Sequence, residues 1–279
     1  MQTKYTVISS QKRLWDVDFK EVWAYKDLIY MYVKRDIVVF YKQTILGPLW
    51  FIIQPVLTTI MFLFVFGNLA GISTDGIPGP LFYFSGIMLW NYFADCLNRN
   101  SKTFIENQNV FGKVYFPRLV VPLSVTISNL VKLSIQFLVF VAIYIYYAAV
   151  GANVHPNWYA CLFPLLVIMV GGLSLGFGII FSSLTTKYRD LTFLLQFGVQ
   201  LWMYATPVIY PLSTMPADKR WIFYLNPMTS IIETFKYGSV GSGIFSWGWL
   251  LYSFIFMAAV LLVGVIIFNR VEKNFMDTV

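Results

Sequence analysis

Long apolar stretches alternate with short charged segments along the chain. A helix needs about 20 mostly apolar residues to cross a lipid bilayer, and several intervals without any charged residue reach about that length or exceed it. The longest, between Lys132 and Lys187, is divided by turn-forming residues at Gly151 and Pro156. The pattern therefore predicts six transmembrane helices, at about 45–70, 80–98, 120–148, 158–184, 192–211 and 246–269.

A different periodicity occupies the segment before the first apolar stretch. Between Trp15 and Val33, apolar and aromatic residues recur at spacings near three and four, with lysines among them. This pattern predicts a basic amphipathic helix in the membrane interface, or alternatively a helix packed on a soluble partner. Asp18 and Glu21 have the spacing of a helix-capping pair. The residues expected to contact the interface and lipid headgroups are Trp23, Lys34, Arg35 and Lys42.

The segment from about 212 to 245 is too apolar for a free loop, yet its apolar run is too short for another membrane crossing. Asn226 and Pro227 interrupt this run, because proline disfavours helical geometry at the residue before it. We expect two short re-entrant helices on the external side, closing the outer mouth of a pathway. The candidates for this external gate are Trp221, Tyr224, Asn226 and Pro227.

Composition agrees with a membrane location. The chain is 58% hydrophobic and 12% charged, whereas soluble domains carry about 25% charged residues. The predicted fold class is an all-α integral membrane protein with six transmembrane helices per chain. Its predicted parts are a cytoplasmic N-terminal segment at 1–44, a transmembrane domain at 45–269 and a cytoplasmic tail at 270–279.

The distribution of basic residues predicts the orientation. Of the 20 lysines and arginines, 16 lie before span one, after span two, after span four or in the tail. The positive-inside rule therefore places both termini in the cytoplasm. The net charge of +7 is dispersed among many aromatic residues, which argues against a nucleic-acid-binding protein.

Two predicted spans carry residues typical of a transport pathway. In span one, Pro55 kinks the helix and Gln54 can hydrogen-bond across helices. In span five, uncharged aromatic faces can contact sugar rings without holding them firmly. Helix packing and a membrane-interface belt are the alternative roles. The channel-lining candidates are Trp50, Gln54, Phe193, Phe197, Trp202 and Tyr204.

Lys132 lies about ten residues into span three, where a charge is costly and usually marks a pathway or a partner. One interpretation is contact with a phosphate group of the substrate. The alternative is that Lys132 reaches the lipid headgroups or pairs with a carboxylate such as Asp95.

The chain offers few groups for catalysis. Gly112-Lys113 is followed by Val114, so the phosphate-binding loop of many ATPases is missing. A single histidine, His155, builds neither a metal site nor a catalytic triad on its own. Cys96 and Cys161 lie in apolar stretches and are interpreted as reduced packing residues. We expect a transport protein rather than an enzyme, with no cofactor or metal on this chain.

Several stretches together resemble the permease subunits of ATP-binding-cassette exporters for O-antigen and related polysaccharides. They are YKQTILGPLW at 41–50, QP at 54–55, KVYFPR at 113–118, YRDL at 188–191, TPVIY at 206–210, LNPM at 225–228 and VEKNF at 271–275. The resemblance implies a homodimer of six-helix permeases with two ATPase subunits, which hold ATP and Mg²⁺. It also implies a bacterial inner-membrane location and a lipid-linked polysaccharide as cargo, moved from the cytoplasmic to the external side.

The resemblance further implies short helices that couple the permease to its ATPase. By position these lie near 107–115 and 187–190, where ordinary basic loops are the alternative. Other cargoes, namely teichoic acid, capsule, a glycolipid or a drug, stay open at this point. So do a membrane-embedded glycosyltransferase or ligase, and a channel. The coupling candidates are Asn109, Phe111, Lys113, Lys187, Tyr188, Arg189 and Asp190.

Overall fold

The structure, a computed structural model, describes residues 19–42, 46–152 and 154–275. Over these ranges the chain forms α-helices and no strands, which confirms the all-α prediction. The helix cap predicted at Asp18 lies outside the described residues. The helices are α1 (Phe19–Ala24), α2 (Lys26–Lys42), α3 (Trp50–Phe62), α4 (Gly79–Asn100), α5 (Thr103–Glu106), α6 (Gln108–Phe111), α7 (Val120–Ala149), α8 (Phe163–Thr185), α9 (Leu191–Tyr204), α10 (Arg220–Tyr224), α11 (Pro227–Val240) and α12 (Trp247–Phe275).

The bundle has two distinct ends. Val22 of α1, Phe104 of α5 and Phe268 of α12 share one hydrophobic cluster, so the first and last described helices meet at the same end. We call this the α2 end. The opposite end carries α10 and α11 and is called the α11 end. The side of the membrane on which each end lies stays a prediction from the basic residues.

Helix α4 is the centre of the bundle. Every residue from 81 to 90 is buried, and α4 packs against α3, α7, α8 and α11. Its many aromatic side chains are therefore covered by protein rather than by lipid. Cys96 belongs to this core, whereas Cys161 is exposed, so the packing prediction holds for Cys96 alone.

Four segments of the described chain are long and apolar enough to cross a membrane: Gly47–Leu69, Val120–Ala149, Trp158–Thr185 and Trp247–Val271. The first combines α3 with the π-helical stretch Leu63–Leu69. Helix α4 has 22 residues but is less apolar. Helix α9 has only 14 residues, fewer than the roughly 20 that a straight crossing needs. The count of six crossings thus stays a prediction.

The break predicted at Asn226 and Pro227 is present and separates α10 from α11. The Asn226 side chain accepts the backbone N–H of Met228 at 3.1 Å, and Pro227 occupies the first turn of α11. This combination of a capping side chain and an N-terminal proline favours helix initiation. Helix α11 ends at Val240 and is followed by Gly241, whose φ of 82° suits glycine.

Helices α8 and α12 pack closely through glycines. A Cβ atom added at Gly264 would lie 2.8 Å from the carbonyl oxygen of Gly176, so the two backbones leave no room for a methyl group. We expect Gly264→Ala to destabilise the protein by about 1–3 kcal/mol through overpacking. Gly248→Ala, on the same helix, meets its nearest atom at 3.8 Å and should be neutral. Thermal unfolding of both variants in detergent checks this; equal melting temperatures would contradict it.

Candidate functional site

Helix α9 presents a largely uncovered aromatic face. Phe193, Phe197 and Tyr204 are exposed, Phe193 to 75%. Leu195 and Val199 are the buried residues of this helix, which is described throughout, and they turn toward α4 and α8. Three of the four aromatic channel candidates on α9 therefore lie together on an open surface of the single chain.

Trp202, the fourth aromatic candidate on α9, points the other way. Its ring lies 6.3 Å from Trp90, 5.2 Å from Phe93 and 5.4 Å from Phe177, measured between ring centroids, with edge-to-face geometry in each case. Such contacts are favourable packing interactions. They are the contacts expected under the packing alternative, and they attach α9 to α4 and α8.

The proline inside α3 leaves a backbone carbonyl that has a polar partner on α7. Pro55 has no N–H group, so the carbonyl of Phe51, four residues earlier, loses its helical donor. The side-chain amide of Gln136 donates to that carbonyl at 3.3 Å, and Gln136 is buried. Trp50 and Gln54, the two channel candidates on α3, are both exposed. This hydrogen bond links α3 to α7, while the two candidate side chains face outward.

Lys132 pairs with Asp95. The Lys132 Nζ lies 2.5 Å from Asp95 Oδ2 and 5.7 Å from the ring centre of Phe51. Pairing was the alternative to a phosphate contact, and the structure confirms it. A charge pair of this kind lowers the cost of a lysine at membrane depth and links α7 to α4.

A buried carboxylate organises the α2 end. Asp36 accepts hydrogen bonds from Arg35 at 2.9 Å, from Arg99 of α4 at 2.7 Å and from Ser128 of α7 at 3.4 Å. Asp36 itself is 6% exposed. Burial raises the pKa of the neighbouring Tyr32 hydroxyl, an effect that Arg35 opposes. These bonds hold α2 against the bundle.

The interface candidates lie on the outer side of this N-terminal region. Trp23 of α1 and Lys34, Arg35 and Lys42 of α2 are all exposed. The inner side of α2 packs on α7. This amphipathic arrangement is available to a membrane surface or to a protein partner, the two roles that the sequence leaves open.

The coupling candidates are not equally accessible. Lys187, Tyr188, Arg189 and Asp190 are exposed at the α2 end, as are Asn109 and Lys113. Phe111 differs: it is buried, with its ring centroid 6.0 Å from Phe104 and 5.7 Å from Phe116. Phe111 therefore holds the short helices α5 and α6 onto the bundle, and the prediction that it contacts a partner directly does not fit its burial.

The loop after α6 forms a small concave surface beside these candidates. A cavity of about 230 Å³ is lined by residues 111–116 and Arg118. The guanidinium of Arg118 lies 5.4 Å from the ring centre of Phe111. Val114 and Tyr115 are exposed at its rim, so this loop offers both apolar and basic groups to a partner.

Two buried charged residues mark the α11 end. The Lys236 Nζ donates to the carbonyl of Pro207 at 2.7 Å and lies 3.7 Å from the ring centre of Phe82. Glu233, one turn earlier, accepts the backbone N–H of Ile244 at 3.0 Å. Both side chains are fully or almost fully buried. The segment that follows α9 is thereby joined to α11 and to α4.

The external-gate candidates divide by exposure. Trp221 is exposed, whereas Tyr224 is buried and stacks on a tryptophan ring of α12. The amide of Asn226 donates to Thr206 Oγ1 at 2.7 Å, so it joins α11 to the segment after α9. Pro227 is buried in the first turn of α11. Three of the four residues thus position α10 and α11, and Trp221 alone of the four faces outward.

Sequence reasoning does not identify the polar residues that hold these sites, namely Asp36, Gln136, Glu233 and Lys236. A signal exists for the last two, because a charged pair three residues apart is unusual in an apolar helix. Asp36 and Gln136 give no local signal, since their partners lie far away in the sequence. Among the described residues, no group of three or more His, Cys, Asp or Glu side chains is placed to hold a metal ion.

Comparison with known protein families decides the class. Residues 27–240 match the family described as ABC-2 type transporter, a match that includes α3, α9 and α11. The chain is an ABC-2 type transporter protein. The match covers both candidate pathway helices and both candidate coupling segments of this ABC-2 permease.

Individual relatives of the ABC-2 permease extend over most of its length. It is 29% identical over 90% of the chain to the O-antigen export system permease protein RfbA of Klebsiella pneumoniae, 94% of which is covered. The protein of the same name from Myxococcus xanthus is 27% identical, with 78% of this chain and 82% of the relative covered. The polysialic acid transport protein KpsM of Escherichia coli is 24% identical, with 82% and 87% covered.

Proposed function

We propose that this permease is the membrane-spanning subunit of an ATP-driven exporter of lipid-linked polysaccharide. The observation that carries the proposal is its similarity, over most of the chain, to permeases named for O-antigen export and to one named for polysialic acid transport. A polysaccharide needs a protein pathway, because each unpaired hydroxyl costs on the order of 1–3 kcal/mol or more in an apolar medium. The direction of export is from the cytoplasm outward across a bacterial inner membrane.

In this proposal two copies of the chain share one pathway. The exposed faces of α3 and α9, which carry Trp50, Gln54, Phe193 and Phe197, leave a large part of these helices uncovered in a single chain. A two-fold axis would bring the same faces of two copies together. Six helices alone hardly enclose a path wide enough for a sugar chain, whereas a pair can enclose one along its axis.

ATP hydrolysis is assigned to two separate ATPase subunits, which would carry the ATP and Mg²⁺. The sequence Gly112-Lys113-Val114 lacks the serine or threonine of a phosphate-binding loop. The exposed residues of the loops 112–115 and 187–190 lie at the α2 end, which is the predicted cytoplasmic side. Their exposure at that end supports the docking of a cytoplasmic partner there.

The direct test is purification of the tagged permease from its native host in mild detergent. We expect a stoichiometric ATP-binding-cassette subunit to co-purify and to hydrolyse ATP. A folded permease that retains no such subunit would contradict the exporter assignment. A strain lacking the permease should accumulate undelivered polysaccharide on the cytoplasmic side, and the wild-type gene should restore export.

The loop at 187–190 yields a specific prediction. Arg189→Ala combined with Asp190→Ala should lower export roughly tenfold. The reason is that the loss of interface side chains weakens the binding of a docked partner by about 1 kcal/mol or more. The matched control is Asp218→Ala with Lys219→Ala, an exposed pair of opposite charges at the α11 end. Export is measured as surface polysaccharide per copy of inserted permease. Unchanged export in the first variant would remove this loop from the coupling mechanism.

A further inference from the structure

Helix α9 carries a stripe of amides among its exposed aromatic rings. Gln196 and Gln200 are exposed, four residues apart, so one lies about 6 Å above the other along the helix. Successive residues of an α-helix are about 100° apart around its axis. The exposed residues that fall within about 100° of one another on this basis are Phe193, Gln196, Phe197, Gln200 and Tyr204.

A neighbouring exposed face of α9 is purely apolar. Leu194, Gly198 and Leu201 are also exposed, at spacings of four and three, and carry no polar side-chain atoms. Helix α9 therefore has two open faces, one purely apolar and one that mixes amides with aromatic rings. The apolar face suits lipid or a packed helix, whereas the mixed face does not.

Two glutamines stacked along one helix face are unfavourable in contact with lipid. An amide in hydrocarbon leaves both its N–H₂ and its carbonyl without partners, which is unfavourable. Polar side chains within membrane helices accordingly face the interior of an assembly or a water-filled cavity. Helix α3 repeats the combination, with exposed Trp50 and Gln54 one turn apart. The mixed face therefore fits the interior of an assembly or a water-filled cavity better than it fits lipid.

The chemistry of this face fits a neutral sugar. A glutamine amide both donates and accepts hydrogen bonds, as a hydroxyl group does, and it carries no charge that would hold a phosphate. Aromatic rings offer broad apolar surfaces to the C–H faces of a pyranose. Weak contacts that are repeated along the helix allow a polymer to advance by exchanging one hydroxyl for the next.

We propose that Gln196 and Gln200 bind the hydroxyl groups of the passing polysaccharide, with Phe193, Phe197 and Tyr204 as the apolar surfaces on which its sugar rings slide. This inference rests on the proposed function, because it assumes a polysaccharide cargo. It adds the residues that recognise hydroxyls, and it assigns the Leu194 face of α9 to packing or to lipid.

Cysteine labelling tests whether the mixed face is wet. Single cysteines replace Gln196, Gln200 or, as a control on the apolar face, Leu194, in a Cys161→Ser background because Cys161 is exposed. In membranes that hold the complete transporter, a water-soluble methanethiosulfonate should label Gln196→Cys and Gln200→Cys roughly tenfold faster than Leu194→Cys, which faces an apolar environment. Equal rates at all three positions would overturn the proposal.

Two further readouts separate a sugar from other occupants. Labelling of Gln200→Cys should slow down in cells that make the polysaccharide, compared with cells whose polymer synthesis is blocked; equal rates would overturn the proposal. A spontaneous disulfide between two copies of Gln196→Cys would also overturn it. Such a bond needs Cα atoms within about 7 Å of each other, which leaves no room for a sugar between the copies.

Export measurements distinguish this inference from the function on which it rests. Gln196→Leu with Gln200→Leu should lower export roughly tenfold, the effect of losing about 1.4 kcal/mol of hydrogen bonding, while the ATPase activity of the complex is kept. The control Leu194→Met should export normally. If wild-type permease restores export and the double variant restores it equally well, the role of the two amides is wrong. If wild-type permease restores no polysaccharide export, the proposed function fails and this inference fails with it.

Discussion

Replacing Lys236 with methionine is expected to destabilise the protein by about 3–5 kcal/mol, the usual cost of removing one member of a buried charged pair. Lys236 is fully buried, its ammonium group donates to the Pro207 carbonyl at 2.7 Å, and it interacts electrostatically with Glu233. Methionine fills much the same space but supplies neither a charge nor a donor. Glu233 then stays buried without its neighbouring cation, and the carbonyl of Pro207 loses its donor.

A double-mutant comparison identifies the cause of that loss. Glu233→Gln with Lys236→Met removes both charges, so the pair should lose less stability than the sum of the two single variants. Lys219→Met, an exposed lysine at the same end of the bundle, should melt like the wild type. Thermal unfolding in detergent gives the melting temperatures of the two single variants, the double variant and the control. A wild-type melting temperature for Lys236→Met would show that the buried ammonium group contributes nothing to stability.

The position of Lys236 connects this stability to transport. Thr206 and Pro207 lie two and three residues after the end of α9. The side chain of Thr206 accepts a hydrogen bond from Asn226, and the carbonyl of Pro207 accepts one from Lys236, at 2.7 Å in both cases. Helix α9 therefore cannot move at the α11 end without moving α11 or breaking these bonds. If α9 lines the pathway, as proposed, its displacement is transmitted directly to the predicted external gate.

The sequence predicts the helical elements well where the signal is local. The capping asparagine and the following proline at Asn226 and Pro227 determine where α11 begins. The end of α9 is harder to predict, because the apolar stretch continues after Tyr204 while the backbone turns at 205–210. Hydropathy indicates that these residues avoid water, but it does not indicate whether they are helical.

The candidate site is predicted only in part because residue type and helix face are different kinds of information. Selecting aromatic residues on α9 groups Trp202 with Phe193 and Phe197, although Trp202 lies on the buried side. Angular position around the helix separates Trp202 from the two phenylalanines. It also shows that Gln196 and Gln200 lie on the same face as the phenylalanines. Neither residue type nor helical phase identifies Asp36, because an aspartate in a basic amphipathic helix has the pattern of an ordinary surface charge. Its burial depends on Arg99, which is 63 residues away.

Asp36→Ala is expected to release α2 from the bundle, with a loss of about 2–3 kcal/mol. This is below the range for a fully buried pair, since Arg35 and Arg99 are partly exposed and screened by water. The carboxylate bridges Arg35 of its own helix and Arg99 of α4, and it also accepts a hydrogen bond from Ser128 of α7. Alanine removes all of these bonds together, while the apolar contacts between α2 and α7 stay in place.

The release should be visible as faster limited proteolysis within 19–42, with the rest of the chain as resistant as before. Asp27→Ala is the matched control, because Asp27 is an exposed aspartate on the same helix. Asp36→Asn keeps the size and one acceptor oxygen, and should fall between the control and Asp36→Ala. Because α2 precedes α3, a candidate pathway helix, in the chain, a loosened α2 should also reduce export. Wild-type protease resistance in Asp36→Ala would mean that apolar packing alone holds α2, and that the two arginines serve another purpose.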